Sequence, residues 1–599
     1  MTRWRRKEEE RNREREENAS LQRRRGGRRT RGWRRREEER NREREESISR
    51  RREREGRKMR QLRRQRGKGD RELEERREED EKEQEENVRR LATKKVLGET
   101  RKITWSSAPY QTIPLQQQQQ RQQQQQPWPP GPTVYAASNV RDIVSAFRLF
   151  LTPEIDKIIL EETNREGFRK YGKNSWKRMD EIDLHAYMGL LILAGVYRSR
   201  GEATASLWDA ESGRAIFRAT MSLKVFHVYL KLVRFDDRET RAERRASDKL
   251  AAVRKVWDAW VERLPTLYNP GPHVTVDEQL VPFRGRCSFR QYMPNKPARY
   301  GIKSWVACDA RSSYAWKMQV YTGRKPRGGS EKNQATRVVL DVTEGLTGRS
   351  ITCDNFFTSY ELAQRLLLEN NNTLLGTVRK NKPELPDALL ALRGRRVLSS
   401  KFAFTRDTAL VSYLAKKNKN VLLLSTLHAR TADVVGRRQR ADNKPAVILD
   451  YNSNKGGVDN LDKVVTTYSC RRMTARWPLA VFHNILDVSS YNAFVIWREL
   501  NPDWLPGKRN KRRVFLEQLG KAVVALLIEW RTHLPRAEAA PVNPPIPASK
   551  RKRFQVCPSK KDCKTYNVCR DCEKYICRRC ALLYCPVCAN SPSSSLEHG

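Results

Sequence analysis

The first hundred residues of this 599-residue chain contain almost no large apolar side chains, and this confines any folded core to the rest of the sequence. Two charged stretches repeat with a period of 29, one after Trp4 and one after Trp33. A Gln tract at 116–126 and a Pro-rich run at 127–132 follow. Without apolar groups to bury, a segment cannot offset the conformational entropy lost on folding. The sequence therefore predicts that residues 1–135 form one disordered leader.

The charge of the chain indicates the class of its partner. Lys and Arg number 121 against 72 Asp and Glu, which gives a net charge of +49. Residues 1–100 hold 38 basic and 26 acidic side chains, so most of this excess lies further along the chain. Nucleic acid is the largest class of polyanion that such a protein binds. The leader is either a basic arm on DNA or a low-complexity extension with no specific role.

Two other classes of protein are not expected. The mean hydropathy is −0.83, and no apolar run approaches the roughly 18 residues that a membrane span needs. The N-terminus MTRWRRKEEE lacks the apolar core of a secretory signal. The 12 cysteines are therefore expected in a reducing compartment, where clustered cysteines bind metal more often than they form disulfides.

Folded structure is predicted to begin near Ser138, where Ala137–Ser138–Asn139 precede an apolar pattern of helical period. Similar patterns recur up to residue 268, so residues 136–270 are predicted to be a helical domain. The aromatic residues of this region are expected in its core rather than against nucleic-acid bases; they are Phe147, Phe168, Trp176, Trp208, Trp257 and Trp260.

At residue 273 the pattern changes to the alternation of strands. The runs GIKSWVACDA and YAWKMQVYTG, joined by Arg311–Ser312–Ser313, are typical of a hairpin. Strands mixed with helices predict an α/β domain with a mixed sheet. Residues 396–450 look β-rich, including the run AVILDYN from Ala446, and helices resume at Val458, with a further helix over about 514–531. The predicted divisions are 271–395, 396–450, 451–500, a helical segment at 501–533, a Pro-rich linker at 534–549 and a Cys-rich domain at 550–590.

Four acidic residues stand out by their context. Asp277 ends the apolar run VTV and Asp354 ends ITC, so both are expected at the C-terminal ends of strands. Asp459 follows a Gly-Gly-Val turn that predicts a helix start, and Asp462 lies three residues on, on the same helix face. Carboxylates that meet in so basic a protein need a cation between them, and oxygen ligands favour Mg²⁺. A lone Asp at a strand end is most often a cap or turn residue.

Four ordered motifs carry a family resemblance. They are VDEQLVPFRGRCSFRQYMPNKPARYGIKSW, TCDNFFTSYELAQ, YNSNKGGVDNLDK and RRMTARWPLAVFHNILDVSSYNAFVIW. In this order, over about residues 140–590, the chain resembles piggyBac-type transposases. The resemblance implies an α/β fold whose RNase H-like mixed-sheet catalytic core carries a β-rich insertion. It also implies flanking helical domains for DNA binding and dimerisation, and a small C-terminal zinc finger.

The resemblance also implies an activity. Asp277, Asp354 and Asp459 would be the catalytic triad that holds two Mg²⁺, with Asp462 as an accessory acid. The enzyme would cut transposon ends in double-stranded DNA and join them at TTAA targets through hairpin intermediates, as a homodimer in the nucleus. The residue after Asp462 is usually Gln in the family and is Lys463 here, a surface change from which little is expected. The alternative is a domesticated, non-catalytic protein that binds DNA or chromatin.

Basic residues near these motifs fit phosphate contacts, although any one of them could simply face solvent. The candidates for DNA binding are Arg284, Lys296, Lys303, Arg379, Lys380, Arg471, Arg472, Arg476, Lys550, Arg551, Lys552 and Arg553. The last four would serve equally as a nuclear import signal. Trp477 is placed equally well to stack on a base or to lie in the core. The seven His have no metal-like spacing and are expected to be structural.

Eight cysteines within 32 residues form the strongest spacing signal in the chain. They are Cys557, Cys563, Cys569, Cys572, Cys577, Cys580, Cys585 and Cys588. Three CxxC pairs and eight thiolates predict two structural Zn²⁺. The spacing leaves the ligand pairing open, a cross-brace being one arrangement. The resemblance makes this module a finger that binds DNA ends, and a ubiquitin-ligase module is the weaker alternative.

Overall fold

The computed structural model describes residues 103–110, 128–323, 331–429 and 443–533, with short pieces at 99–100, 552–553, 564–565 and 575. Most of the predicted leader lies outside the described residues, and so do all eight cysteines of the predicted zinc module. The prediction of a zinc module, and that of disorder for the undescribed part of the leader, therefore stay predictions.

One part of the predicted leader packs on the folded core. Strands β1 (Glu99–Thr100) and β2 (Ile103–Thr104) form an antiparallel pair, and Trp105 follows them fully buried. The indole N–H of Trp105 donates to the carbonyl of Glu384 at 3.0 Å, and its ring packs edge to face on Tyr360. The expectation of disorder is therefore wrong for this segment, because one large aromatic side chain with a buried site is enough to hold it.

A helical region follows, beginning with β3 (Gly131–Pro132). Its helices are α1 (Val134–Asn139), α2 (Ile143–Arg148), α3 (Pro153–Tyr171), α4 (Glu181–Val196), α5 (Thr204–Leu207), α6 (Ala215–Thr220), α7 (Leu223–Leu232), α8 (Arg241–Ser247), α9 (Arg254–Val261) and α10 (Arg263–Leu267), with a 3₁₀ turn at Ser199–Gly201.

The start of this region differs from the prediction. Asp142, and not the 137–139 segment, caps α2, because Asp142 and Ser145 exchange hydrogen bonds in a capping box. The 137–139 segment is instead the last turn of α1. The predicted aromatic core is confirmed: Phe147, Trp176, Trp208, Trp257 and Trp260 are buried, and Phe168 packs against them, partly buried.

A nine-stranded mixed sheet lies at the centre of the molecule. After β4 (Tyr268–Asn269), which pairs with β3, its strands are β5 (His273–Pro282), β6 (Gln291–Tyr292), β7 (Tyr300–Asp309), β8 (Ala315–Val320), β9 (Ser350–Cys353), β10 (Thr373–Thr377), β11 (Ser400–Phe404), β12 (Ala409–Lys416) and β13 (Lys419–Ser425). The spatial order is β11-β12-β13-β10-β9-β5-β7-β6, and β8 also pairs with β7. Strands β5, β9 and β10 are parallel, and the other pairs in this sheet are antiparallel. The predicted mixed sheet is confirmed.

The predicted hairpin is β7–β8. Asp309 closes its turn by accepting hydrogen bonds from the backbone N–H and the hydroxyl of Ser312. Ser313 adopts a left-handed conformation with φ of 58°, which lets the chain reverse within a few residues.

Helices cover the sheet and complete the described part of the chain. They are α11 (Gln334–Thr343), α12 (Tyr360–Asn370), α13 (Asp387–Leu390), α14 (Ala446–Asn454), α15 (Gly457–Thr467), α16 (Trp477–Leu500) and α17 (Lys511–His533). Beyond them β14 (Lys552–Arg553) pairs with β15 (Lys564–Thr565).

The run AVILDYN is the first part of α14 rather than a strand. A short apolar run does not distinguish a strand from a buried helix face by its pattern alone. Here Pro445 takes the N-cap position, and Val447 and Ile448 are buried in a small cluster with Leu375 and Leu423 of the sheet. Packing against the sheet therefore decides the conformation.

The longest helix, α16, runs through the core. It is the one helix among the described residues that is long and apolar enough to cross a membrane, but 94% of its apolar stretch is buried within the protein. Beside it, α4 and α17 lie close together. A Cβ atom added at Gly189 would lie 2.6 Å from Val524 Cγ1. Burial of this kind is expected for the core helix of a globular domain.

Candidate active site

Parallel pairing of β5 and β9 places Asp277 beside Asp354. The last register pair of these strands is Val276 with Cys353, so the next residue on each strand is one of the two aspartates. Asp354 follows the end of β9, as predicted. Asp277 does not end its strand, because β7 continues the ladder beyond β9 and pairs Asp277 with Val306. The expectation that both residues end their strands is thus wrong for Asp277.

A further carboxylate, Glu278, joins this pair and was missed by the sequence analysis. Oxygen atoms of Asp277, Glu278 and Asp354 all lie within 4.8 Å of one another; we call these three residues the sheet-edge group. Alternation along a strand places neighbours on opposite faces, so the motif VDEQ offered no reason to group Glu278 with Asp277. Its one signal in the sequence is adjacency to a candidate ligand.

The sheet-edge group is weakly neutralised. Burial, and then the charge of Glu278, raise the pKa of Asp277 to about 8, and burial raises the pKa of Asp354. Oxygen Oε2 of Glu278 is buried without a hydrogen-bond partner, and Lys303 Nζ lies 3.9 Å from it, beyond hydrogen-bond distance. Backbone N–H groups of Glu278 and Phe356 donate to Asp277 and Asp354 at 2.7 and 2.8 Å. This oriented, all-oxygen set fits a hard divalent cation such as Mg²⁺.

A close approach of α15 to β5 brings the third predicted aspartate to the same region. Helix α15 begins at Gly457, as the Gly-Gly-Val turn predicts. A Cβ at Gly457 would lie 2.6 Å from Thr275 Oγ1, so glycine is needed here. The Thr275 hydroxyl donates to the carbonyl of Asn454 at 2.6 Å, between α14 and α15. These contacts hold the first turn of α15, which carries Asp459, against the strand that carries Asp277.

Asp459 and Asp462 lie on one face of α15, and both lie near the ammonium group of Lys296. Lys296 Nζ donates to Asp459 Oδ1 at 3.0 Å and lies 3.6 Å from Asp462 Oδ2. Burial raises the pKa of Asp462 to about 6, and the charge of Lys296 opposes that rise. Burial alone would lower the pKa of Lys296, but Asp462 and Asp459 raise it overall, with a smaller contribution from Asp277. Lys296 thus links α15 to the sheet-edge group, of which Asp459 is not a member.

The residues predicted to contact DNA have different surroundings. Arg284, Arg379 and Lys380 are exposed and can meet a ligand. Lys296 and Lys303 lie instead among the carboxylates. Of the basic run ahead of the cysteines, Lys550 and Arg551 are outside the described residues, and Lys552 and Arg553 form β14.

The three arginines that precede α16 are used inside the protein. Arg472 is 4% exposed and donates to the carbonyls of Ser199 and Glu202. Arg471 donates to the carbonyl of Pro282 at 2.7 Å, and Arg476 donates to backbone carbonyls at the end of α7. Their donors are thus engaged with backbone carbonyls of other elements, and their predicted phosphate contact stays a prediction.

Trp477, for which two roles were open, packs edge to face on Phe289 with ring centroids 5.0 Å apart. It is partly buried against the main core. This position favours the core role over base stacking.

A second tight acidic group lies in the helical region. Ligand atoms of Asp156, Glu181 and His185 are within 4.8 Å of one another; we call this the helical group. The Arg148 guanidinium forms an ion pair with Asp156, lies 2.8 Å from His185 Nε2 and 3.6 Å from Glu181 Oε1. Arg148 therefore already supplies this group with a fixed cation, and the expectation of a structural role fits His185.

Comparison with known proteins gives a family match and two human relatives. The family model described as Transposase IS4 matches residues 142–494. The human PiggyBac transposable element-derived protein 3 is 22% identical over 406 residues, covering 64% of this chain and 66% of that protein. The human Chimeric ERCC6-PGBD3 protein is also 22% identical over 406 residues, but the match covers 37% of it. The chain thus spans just under two thirds of the first human relative and little over a third of the second.

A solved structure is similar to this chain in three dimensions. It is the cryo-EM structure of a piggyBac transposase synaptic complex with hairpin DNA, with a TM-score of 0.63 and 32% sequence identity. The match covers 77% of this chain and 100% of that chain. The residues matched by the family model, 142–494, include the sheet and the helices that carry the acidic residues described above.

Proposed function

This chain belongs to the piggyBac-type transposases of the Transposase IS4 family, and we propose that it is a Mg²⁺-dependent cut-and-paste DNA transposase. It would cleave transposon ends in double-stranded DNA and join them at TTAA targets, with hairpin intermediates. We assign its core to the RNase H-like class. Strand order β8-β7-β5-β9-β10, with β9 and β10 parallel to β5, supports that assignment.

The sheet-edge group is the observation that carries this proposal. Its three carboxylates are drawn together within 4.8 Å although like charges repel, and Lys303 stands too far from them for a hydrogen bond. Such an arrangement is stabilised by a cation that it binds. The chain belongs to a family of transposases, and transposition is phosphoryl transfer between DNA strands. The cation would act in that reaction.

We assign the parts of the chemistry to this chain's residues. Asp277, Glu278 and Asp354 would hold one divalent cation, and Asp459, with Asp462 beside it, would complete the set for a second. Bound cations of this kind stabilise charge developing on the transferred phosphate and make a bound water or hydroxyl more nucleophilic. The rigid ladder of β5 and the N–H groups that fix Asp277 and Asp354 hold the carboxylates in place before DNA arrives.

Exposed basic residues would place the DNA. Arg284, Arg379 and Lys380 are free to contact phosphates, which fixes the register of a duplex without reading its sequence. The Cys-rich residues 557–588 would hold two Zn²⁺ and bind transposon ends. We further propose a homodimer, since two ends must be joined, and action in the nucleus.

A cleavage assay tests this function. Purified protein is incubated with Mg²⁺ and labelled DNA duplexes that carry candidate terminal repeats next to TTAA. We expect nicks and hairpins at the TTAA junction with the wild-type protein. Asp354→Ala should remove cleavage and leave DNA binding measurable, because a ligand to the cation is lost and the basic surface is kept. Cleavage by Asp354→Ala at the wild-type rate would refute the proposal.

One human relative is named a transposable element-derived protein, and this favours one second candidate, a domesticated binder of DNA or chromatin. For that function, binding without cleavage under both Mg²⁺ and Mn²⁺ is expected. Binding would then survive loss of Asp277 and Asp354 but fail when Cys569 or Cys572 is replaced.

A further inference from the structure

Lys296 occupies an unusual position for a lysine in a protein with so many exposed basic residues. Its ammonium group lies 3.0 Å from Asp459 Oδ1 and 3.6 Å from Asp462 Oδ2, and its side chain is 16% exposed. A lysine that served DNA phosphates alone would be expected to keep its charged end in solvent. Here the charged end points inward, to the acidic residues of α15.

The backbone around Lys296 is fixed by its own turn. Lys296 N–H donates to the carbonyl of Met293, and Arg299 N–H donates to the carbonyl of Lys296 at 3.0 Å. Met293 N–H donates to the carbonyl of Arg299 at 2.7 Å, which closes the loop between β6 and β7. Arg299 adopts a left-handed conformation with φ of 54°. This closed loop holds the lysine stem over α15, so the contact with Asp459 does not depend on a flexible segment.

The carboxylates on α15 need a positive charge in the absence of metal. The Asp462 side chain is 22% exposed, whereas that of Asp459, one turn away on the same face, is 68% exposed. A partly buried charge such as Asp462, with a second carboxylate beside it, is costly unless a cation neutralises it. The ammonium of Lys296 supplies that charge at Asp459 Oδ1, the oxygen that a metal ion would otherwise share.

We propose that Lys296 is a positioning residue that acts as a tethered counterion, holding Asp459 and Asp462 in the metal-free protein and competing with the divalent cation for them. This inference rests on the proposed function, since it assumes that Asp459 binds metal. It gives Lys296 a role that differs from the phosphate contact predicted from its charge. Metal entry then requires the ammonium to leave Asp459.

The competition predicts that removing the lysine charge strengthens metal binding. We would titrate the full-length protein with Mn²⁺, without DNA, by isothermal calorimetry. Lys296→Gln should bind Mn²⁺ more tightly by roughly tenfold, because a fixed like charge a few ångströms from the ion opposes its binding by about that factor. Lys296→Arg keeps the charge and should bind Mn²⁺ as the wild-type protein does.

Lys317→Gln is the matched control. Lys317 also forms an ion pair, with Glu344 at 2.9 Å, and it lies on β8 away from α15, so its loss should leave Mn²⁺ affinity unchanged. A folded Lys296→Gln protein with wild-type or weaker Mn²⁺ affinity would overturn the inference. If the wild-type protein itself binds no Mn²⁺, the metal site of the proposed function fails, and the inference fails with it.

A second measurement needs no variant and covers the case in which Lys296→Gln does not fold. Lysines of the wild-type protein are acetylated briefly with and without Mn²⁺, and peptides are quantified by mass spectrometry. Displacement of the ammonium predicts that Mn²⁺ increases labelling of Lys296 severalfold and leaves labelling of Lys317 unchanged. Labelling of Lys296 that Mn²⁺ leaves unchanged or lowers would contradict the proposal.

Discussion

The sheet-edge group and the helical group are equally tight by distance and differ in what neutralises them. In both, the ligand atoms lie within 4.8 Å of one another. In the helical group the Arg148 guanidinium contacts Asp156 and His185, so a fixed cation already offsets part of the negative charge. In the sheet-edge group Lys303 approaches to 3.9 Å of Glu278 without a hydrogen bond. Proximity of acids is therefore a poor sign of a metal site unless the neighbouring cations are counted.

The same contrast extends through the two regions. In the helical region, Glu166 is hydrogen-bonded by Arg169 and Arg234, and Asp236 by Arg241 and Arg244. The arginines there form ion pairs with nearby carboxylates. At the sheet edge the carboxylates have one looser cation, Lys303, and otherwise face one another and backbone N–H groups. Within the described part of this strongly basic chain, the sheet edge therefore stays anionic and is suited to hold a cation.

The largest effect that separates the two groups is on cleavage. Asp277→Asn should lower the cleavage rate by roughly three orders of magnitude or more, as expected when a member of a catalytic set is lost. Asp156→Asn, its counterpart in the helical group, should keep the rate per folded molecule within a few fold. The cleavage rates of the two variants are compared in single-turnover assays on a labelled TTAA-flanked duplex. Equal losses of cleavage rate in both variants would contradict the difference between the two groups.

Next in size is a loss of stability in the helical group. Arg148→Met removes the cation that neutralises Asp156, a carboxylate whose side chain is 3% exposed, and should lower the free energy of unfolding by about 3 kcal/mol. Urea denaturation followed by circular dichroism measures the change. Lys303→Met should cost much less, since the cation it removes makes a looser pair. A larger loss of unfolding free energy in Lys303→Met than in Arg148→Met would contradict this difference between the two groups.

A smaller effect concerns Glu278, the residue that the sequence analysis missed. Replacing one ligand or orienting group of a metal site typically weakens metal affinity or activity by roughly 10–100-fold. Glu278→Gln should therefore raise the Mg²⁺ concentration required for half-maximal cleavage by about that factor. Lys317→Gln serves as the unrelated control variant. A Glu278→Gln protein with a wild-type Mg²⁺ requirement would remove Glu278 from the site.

The smallest effect is a pH dependence of the helical region. Hydrogen bonding by Arg169, with the charges of Arg234 and Arg238, lowers the pKa of Glu166 from 4.5 to about 2. The pKa is depressed in the folded state, so its stabilisation is fully present above pH 4.5 and is lost as the pH falls toward 2. Glu166→Gln should therefore lower stability by about 2 kcal/mol at pH 7, and the difference from wild type should shrink at pH 3. Thermal melts at both pH values measure it, and a constant difference would contradict the assigned pairing.

The fold could be predicted where pattern and packing agree. The mixed sheet, its hairpin and the entry of α15 at Gly457 follow from alternation and turn residues. The helix at Ala446 and the buried Trp105 could not be predicted, because each is held by residues distant in sequence. The sheet holds α14, and Glu384 and Tyr360 hold Trp105. The end of β5 was missed for the same reason, since β7 extends its ladder beyond Asp277.

The site divides in a similar way. Asp277 and Asp354 could be grouped through the family resemblance, and each follows an apolar run; the structure then shows that their strands are neighbours. Glu278 could not, because strand alternation argues against its grouping with Asp277. Arg472 and Arg476 have the charge of DNA contacts, and their use against buried carbonyls depends on loops more than 200 residues away in the chain. Charge in a sequence does not reveal which charges are already paired.

The most direct test of the contrast between the two groups is a count of bound Mn²⁺ by electron paramagnetic resonance on the full-length protein. We predict that the wild-type protein and Asp156→Asn bind Mn²⁺ equally. The double variant Asp277→Asn/Asp354→Asn should lose that binding, while its circular dichroism spectrum stays unchanged. Binding that survives in the double variant and disappears in Asp156→Asn would place the metal in the helical group and contradict the account.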